Sequence, residues 1–486
     1  MGVLHQTKVL LWGESAETAA ERKLVRKIDF FILTFCCVSY FFNYLDRASI
    51  NNAYVSGMKE DANLGGTDIN MLSTVLTIGY ILGQVPHALA IHVVAPRIWF
   101  PSMIVVWAGL TMAMAGCSNF SQLAAVRFFQ GVIEASTYAG TQYMIGAWYK
   151  PSEIGKRVGL FSACGQAGTM FAGIMMTAIY NSMDGLAGYP GWKWVFIIDG
   201  IITLPIAVFG FLYFPDLPET TTASYLTVEE KALAISRLPP KTEKGRKLGW
   251  DIIKRTLLTV NFWLLVILWG FGGLLEAYSS FTCMLLWMKT DGYSLQQNNQ
   301  YPLGIQAVAI VATIVCAITL DVSGKRYPWG LLVCTVQIVT AAILLCWNQI
   351  GAGTKFAAFY LAGTSFAIQP IVFTWANILL SRTGDEAARS VTLYSMNGSS
   401  ATFFAFWGVL LYPATDASTG FRKGGIALIC VAGFLMMWMT LVLMQDKRTL
   451  KMVAGENDSS LEGVEVDIGH QEKGNVGVDS KEKGSM

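Results

Sequence analysis

An all-α, polytopic membrane fold with two pseudo-symmetric six-helix halves is what this sequence predicts. Three observations carry that expectation. The 486 residues are 53% hydrophobic and only 14% charged, whereas ordinary soluble domains carry about 25% charged residues. Apolar runs recur at the ~20-residue length that a spanning helix needs. Polar residues collect in short stretches between those runs, with one long polar stretch near the middle of the chain.

The runs place helices at 29–52, 68–91, 98–117, 121–147, 157–180 and 192–214, and again at 260–288, 301–321, 328–348, 355–380, 390–412 and 422–444. The domain reading follows: a cytosolic N-tail over 1–28, a first half over 29–214, a cytosolic central loop over 215–258, a second half over 259–444 and a disordered cytosolic tail over 445–486. The loop should hold a short surface helix from Thr227 to Leu238, because Thr227-Val-Glu-Glu230 has the form of a helix start. The tail has too little apolar content to fold alone. Gly79, Gly83, Gly165, Gly168 and Gly173 read as points of close helix packing.

Orientation follows from the basic residues. With the N-terminus inside, 27 of the 35 Lys and Arg residues lie in inner segments and 6 in outer loops. The positive-inside rule then puts both termini in the cytosol. Asn119-Phe-Ser121 is a glycosylation sequon in an outer loop, and Asn119 lies so close to the bilayer that its use is doubtful. The net charge of +2 gives no reason to expect nucleic-acid binding. The nine cysteines sit in apolar runs and the four histidines are scattered, so no metal or cofactor is expected. No catalytic constellation or phosphate-binding loop is present, which argues against an enzyme and against ATP-driven pumping. The expected partners are the lipid bilayer, a small organic anion and a proton, with the protein acting as a monomer in the plasma membrane.

Charges inside a bilayer are costly and tend to face a bundle interior, where they serve transport. Helix 1 carries Asp46 and Arg47, helix 4 carries Arg127 and Glu134, and helix 7 carries Glu276. Asp46 lies ~25 Å along its helix from the inner edge, Arg127 ~9 Å and Glu134 ~20 Å from the outer edge, at 1.5 Å per residue. Asp46 and Arg127 are therefore at depths that allow pairing. Burial disfavours a charged carboxylate and a nearby guanidinium favours it. Glu134 and Asp46 are accordingly the candidate proton carriers. Arg47 is the candidate anion site, since a guanidinium holds a carboxylate through two hydrogen bonds. The alternative is a structural cluster that locks helix 1 to helix 4. Tyr44, Tyr80, Gln84, Tyr138, Gln142, Gln166, Glu276, Trp375, Asn377 and Asn397 are candidates for a cavity wall.

The stretches Asn43-Tyr-Leu-Asp-Arg-Ala-Ser-Ile-Asn-Asn-Ala53, Gly79-Tyr-Ile-Leu-Gly-Gln-Val-Pro86 and Arg127-Phe-Phe-Gln-Gly-Val-Ile-Glu-Ala135 resemble the major facilitator superfamily in its anion:cation symporter branch. Pro215-Asp-Leu-Pro-Glu219, Leu226-Thr-Val-Glu-Glu230 and Ser236-Arg-Leu238 resemble the fungal allantoate permease group. Val55-Ser-Gly-Met-Lys-Glu-Asp61 is most similar to that group's pantothenate and vitamin transporters. The resemblance implies proton symport of a carboxylate, with Asp46 and Glu134 handling protons and Arg47 binding substrate. It also implies substrate contacts at Tyr44, Tyr80, Gln166, Trp375 and Asn397. The alternatives are export of a pathway metabolite and a nutrient sensor built on the same fold. Two motifs depart from the family. His92-Val-Val-Ala-Pro-Arg97 lacks the acid of the usual Gly-x-x-x-Asp-Arg loop, while Asp321-Val-Ser-Gly-Lys-Arg326 keeps it. Asp321, Lys325 and Arg326 are thus expected to carry the inner gate. Ser136-Thr-Tyr-Ala-Gly140 replaces the usual Pro-Gly pair of helix 4.

Overall fold

The computed structural model describes residues 18–65, 68–239, 251–280 and 283–475. Among these, ten helices are long and apolar enough to cross a membrane. In chain order they are α1 (Ala19–Ala53), α2 (Asp68–Val93), α3 (Pro96–Met114), α5 (Ile154–Met183), α6 (Gly191–Tyr213), α7 (Val260–Thr290), α8 (Leu303–Ser323), α9 (Tyr327–Leu345), α10 (Ala352–Ser381) and α12, whose apolar part is Arg422–Met452. Two less apolar helices complete the bundle. They are α4 (Phe120–Glu134, resuming after a turn as Thr137–Trp148) and α11 (Glu386–Leu411). Their polar residues point inward rather than to lipid: Arg127, Gln130, Glu134, Gln142 and Arg389 are all buried.

The exposure pattern is inverted relative to a water-soluble protein. Leu82, Phe129, Val208, Val311 and Leu410 are exposed on the outside of the bundle. With hydrocarbon as the solvent, an apolar exterior costs nothing, and each helix satisfies its own backbone groups. In the first half α1 packs on α5, α2 on α4 and α3 on α6. In the second, α7 packs on α11 and α9 on α12. The halves meet along α2–α11 and α5–α8.

The helix breaks are not random. Helix α1 is π-helical over Asp29–Leu33 and α4 turns at Ala135–Ser136. Helices α7 and α10 tighten to 3₁₀ geometry at Gly273–Glu276 and Gly363–Ala367. Such mid-helix irregularities often mark functional segments. The four helices are the first and fourth of each half.

At both chain ends helix extends beyond the apolar runs. Helix α1 begins ten residues early, because Thr18 caps it by accepting the Glu21 amide at 3.1 Å. At the other end α12 runs on as helix to Asn475. No proline interrupts 422–475, so each added residue can extend the same hydrogen-bond ladder. Residues 476–486 lie outside the described residues.

The end of the bundle that carries both termini is stitched by ion pairs. Lys27 meets Glu230 at 2.7 Å, Lys150 meets Glu21 at 2.6 Å and Arg157 meets Asp29 at 2.7 Å. Arg237 pairs with Glu153 and reaches Glu21 at 3.6 Å. The surface helix of the central segment is Val228–Ser236, capped by Thr227 and Glu230 reciprocally. Lys27 also donates to the Tyr225 carbonyl at 2.8 Å, so this segment is fastened to the start of α1.

Close packing is most severe between α2 and α4. A Cβ on Gly131 would stand 2.0 Å from the Leu76 carbonyl oxygen, and one on Gly79 2.2 Å from that of Phe128. Gly83, Gly165 and Gly168 are similarly crowded, whereas Gly173 faces open space and is not a packing point. Gly131→Val should therefore destroy the monodisperse peak of the detergent-solubilised protein in size-exclusion chromatography, since overpacking costs about 1–3 kcal/mol even where backbone can shift. Gly109→Ala, with nothing within 4 Å of its Cβ, should leave that peak intact.

Candidate functional site

A cavity of about 1420 Å³ lies between the two halves. Its upper wall includes Asn51, Asn52 and Ser56 at the end of α1, Tyr180 and Asn181 near the end of α5, and Pro302 and Leu303 at the start of α8. It therefore opens at the end of the bundle opposite the termini. Among the described lining residues only two are formally charged, Arg47 from the first half and Glu276 from the second.

Arg47 is held from behind. Its Nε donates to Glu134 Oε2 at 2.6 Å, and the Glu134 side chain is fully buried while that of Arg47 is 28% exposed. The guanidinium carbon sits 4.6 Å from the centre of the Tyr80 ring and 5.9 Å from that of Tyr44. These faces stabilise a cation while leaving it open to the cavity. Tyr80 extends the arrangement across the molecule: its hydroxyl accepts from Asn397 Nδ2 of α11 at 2.6 Å. Asn397 also donates to Gln84 Oε1 at 3.4 Å.

Behind this wall lies a second, fully buried cluster. Asp46 Oδ2 accepts from Trp107 Nε1 at 2.7 Å, from Thr111 Oγ1 at 2.9 Å and from Gln130 Nε2 in a short contact. Gln130 Oε1 in turn accepts from Arg127 Nη1 at 3.0 Å. Asp46 and Arg127, whose depths allow pairing, are linked through the shared Gln130 side chain. Asp199 of α6 is buried as well, and neither of its carboxyl oxygens has a hydrogen-bond partner among the described residues.

The opposite end of the cavity is sealed around the corner between α4 and α5. All of Thr137–Trp148 is buried. Its last carbonyls face the second half: Arg389 Nη1 donates to Gly146 O at 3.2 Å and Asn377 Nδ2 to Gln142 O at 3.4 Å. A helix C-terminus favours such a cation. Six residues after Trp148 α5 begins, and its Lys156 amide donates to Asp321 Oδ2 of α8 at 2.9 Å. A helix N-terminus favours such an anion. Where the first half lacks the matching acid, His92 Nε2 lies 2.6 Å from Ser390 Oγ of α11.

The residues expected from sequence separate into groups. Tyr44, Arg47, Tyr80, Gln166 and Asn397 line the cavity together. Asp46, Glu134 and Arg127 lie behind it. Asp321 spans the halves at the sealed end, but Lys325 is exposed and Arg326 is half-buried, its Nε without a partner among the described residues. Trp375 is not a cavity residue: it is 1% exposed and donates to Asp446 Oδ2 at 2.9 Å, tying α10 to α12. It falls near the sealed end of α10, too far along the helix to reach the opening. Asn119 caps α4, with its Oδ1 accepting the Gln122 amide at 3.0 Å. Gln130, Trp107, Thr111 and Gln369 were not singled out from sequence. Gln130 lies one turn before Glu134 on the charged helix, and that spacing was the available signal.

Comparison with known proteins agrees with this architecture. A family profile for the Major Facilitator Superfamily matches residues 36–406. A pantothenate transporter of Schizosaccharomyces pombe is 42% identical over 444 residues, covering 90% of this chain and 85% of the relative. A pantothenate transporter of Saccharomyces cerevisiae is 37% identical over 426 residues, covering 86% and 83%. Among solved structures, the proton:xylose symporter XylE superposes with a TM-score of 0.64 at 13% identity, over 84% of this chain and 94% of that one. That last likeness concerns the fold.

The Asp321 contact should hold the sealed end shut. In a cysteine-free background, a cysteine replacing Ala147, which is 1% exposed here, should react with an impermeant maleimide about tenfold faster once Asp321→Ala is added, the scale of one lost charge-assisted hydrogen bond. The readout is labelling in vesicles that expose the end carrying the termini. An unchanged rate would show that the seal does not depend on Asp321.

Proposed function

Because the chain belongs to the major facilitator superfamily, we propose that it imports a small organic carboxylate of the pantothenate type together with protons, by alternating access. One observation carries the reading: Arg47, the one cation among the described residues of the cavity wall, is also the partner of a carboxyl buried behind that wall, Glu134. An anion that takes up the guanidinium from the cavity competes with Glu134 for it. If Glu134 binds a proton as it loses Arg47, no unpaired charge is left in the low-dielectric interior, where it would be costly. Anion and proton therefore favour each other's binding, which is what symport requires. Asp46 supplies a second carboxyl in the adjoining cluster, linked through Gln130 to Arg127.

The same reading takes the bundle as twelve spanning helices, six before and six after the central segment, with the substrate site between the halves. The surplus of basic residues at the end carrying the termini argues for a cytosolic location of both. The arrangement with its cavity open at the other end then corresponds to the outward-open state. Net import across the plasma membrane by a monomer completes the proposal, with the similarity to pantothenate transporters supporting the choice of substrate.

Expression in a fungal strain lacking its own pantothenate permease tests it. Labelled pantothenate should accumulate, faster at acidic than at neutral external pH. Glu134→Gln should lower proton-driven accumulation at least tenfold while retaining exchange of external for internal pantothenate. Accumulation that survives this substitution with its pH dependence intact would remove Glu134 from coupling. Arg47→Lys should raise the half-saturating concentration by about tenfold or more, because an ammonium cannot reproduce the two-pronged hydrogen bonding of a guanidinium.

A further inference from the structure

Glu276 has no role in the coupling scheme, yet it is the other charged group in the cavity wall. Its position mirrors that of Arg47. Arg47 lies on the first helix of the first half and meets Glu134 on the fourth. Glu276 lies on the first helix of the second half and its Oε1 accepts from Gln369 Nε2, on the fourth, at 2.9 Å. The two charges thus line one cavity, one contributed by each half.

Local geometry is built around this pair. Glu276 ends the 3₁₀ segment of α7, and Gln369 lies two residues beyond that of α10. The two tightened segments contact each other. Gly273 allows α7 to approach α11 closely, since a Cβ there would stand 2.1 Å from Ser400 Oγ. Gln369 is 3% exposed, and its Oε1 has no partner among the described residues. With Ser279 and Asn397 on the same side of the cavity, this wall offers hydrogen-bond acceptors and no cation.

We infer that Glu276, oriented by Gln369, is a second recognition point that accepts hydrogen bonds from hydroxyl groups at the end of the substrate remote from its carboxylate. This rests on the proposed carboxylate import and specifies which carboxylates are carried. A carboxylate with a plain hydrocarbon end leaves the Glu276 carboxyl without its partner, and a dicarboxylate sets a second negative charge against it. Both are disfavoured, and unmet polar groups in a site built to bond them give large discrimination.

The experiment measures inhibition of labelled pantothenate uptake by unlabelled pantothenate and by N-(3,3-dimethylbutanoyl)-β-alanine, which keeps the carboxylate and amide but lacks both hydroxyls. The wild-type protein should favour pantothenate at least tenfold. In Glu276→Ala and Glu276→Gln that ratio should fall at least fivefold, and Gln369→Leu should lower it in the same direction. Surface-biotinylated protein normalises expression, and the ratio itself is independent of the amount folded. Should Glu276→Ala fail to reach the surface, the isosteric Glu276→Gln gives the same ratio. Wild-type pantothenate uptake with an unchanged ratio in the variants would overturn the inference and leave the import reading standing. Stronger inhibition by 6-aminohexanoate than by pantothenate would assign Glu276 to a cation and overturn it too. Absence of wild-type pantothenate uptake would overturn both.

Discussion

The contact between Arg47 and Glu134 is the constraint on which the rest of the bundle depends. A carboxylate with no exposed surface, deep in a membrane-spanning bundle, must be paired or neutralised. Its partner must be on a different helix, so α1 and α4 are obliged to face each other. Because the guanidinium is also open to the cavity, the structural partner and the cavity-facing cation are one residue. The tyrosine rings on either side of it stabilise the cation without adding a competing negative charge. Tyr80 then passes the arrangement to Asn397, so the charge in the first half is connected to the second half across the cavity floor.

A second constraint acts at the sealed end and is also electrostatic. The corner between α4 and α5 presents free carbonyls on one side and free amides on the other, within a few residues. The second half answers each with the matching charge, Arg389 for the carbonyls and Asp321 for the amides. Neither contact can persist if the halves rotate apart, and both are made to backbone. Substitution of side chains in the corner therefore leaves their targets in place. The first half has no equivalent acid at its own α2–α3 turn, and its contact there is the neutral one between His92 and Ser390. The seal is thus asymmetric, with its charged elements supplied by the second half.

Some of the site was legible in the chain and some was not, for identifiable reasons. Arg47 and Glu134 stood out because charges in apolar runs are rare. Their pairing could not be read, since depth along a helix says nothing about rotation about its axis. The same limit explains Asp46 and Arg127: compatible in depth, they turn to a shared glutamine. Trp375 was assigned by resemblance to a wall that it does not reach, because an indole on α10 serves equally well to anchor a neighbouring helix.

Alone, the sequence determined the solvent in which this protein folds, the order of its helices, and that charges such as Arg127 and Glu134 fall inside apolar runs, because those follow from hydrophobicity summed over ~20-residue windows. It also determined where the basic residues gather. The tertiary structure decided which buried charges meet, which end of the cavity is open, and that Arg47 and Glu276 line it together. Those facts depend on the rotation and tilt of each helix against its neighbours, which packing at positions such as Gly131 and Gly79 sets to within an ångström, and no one-dimensional pattern records them.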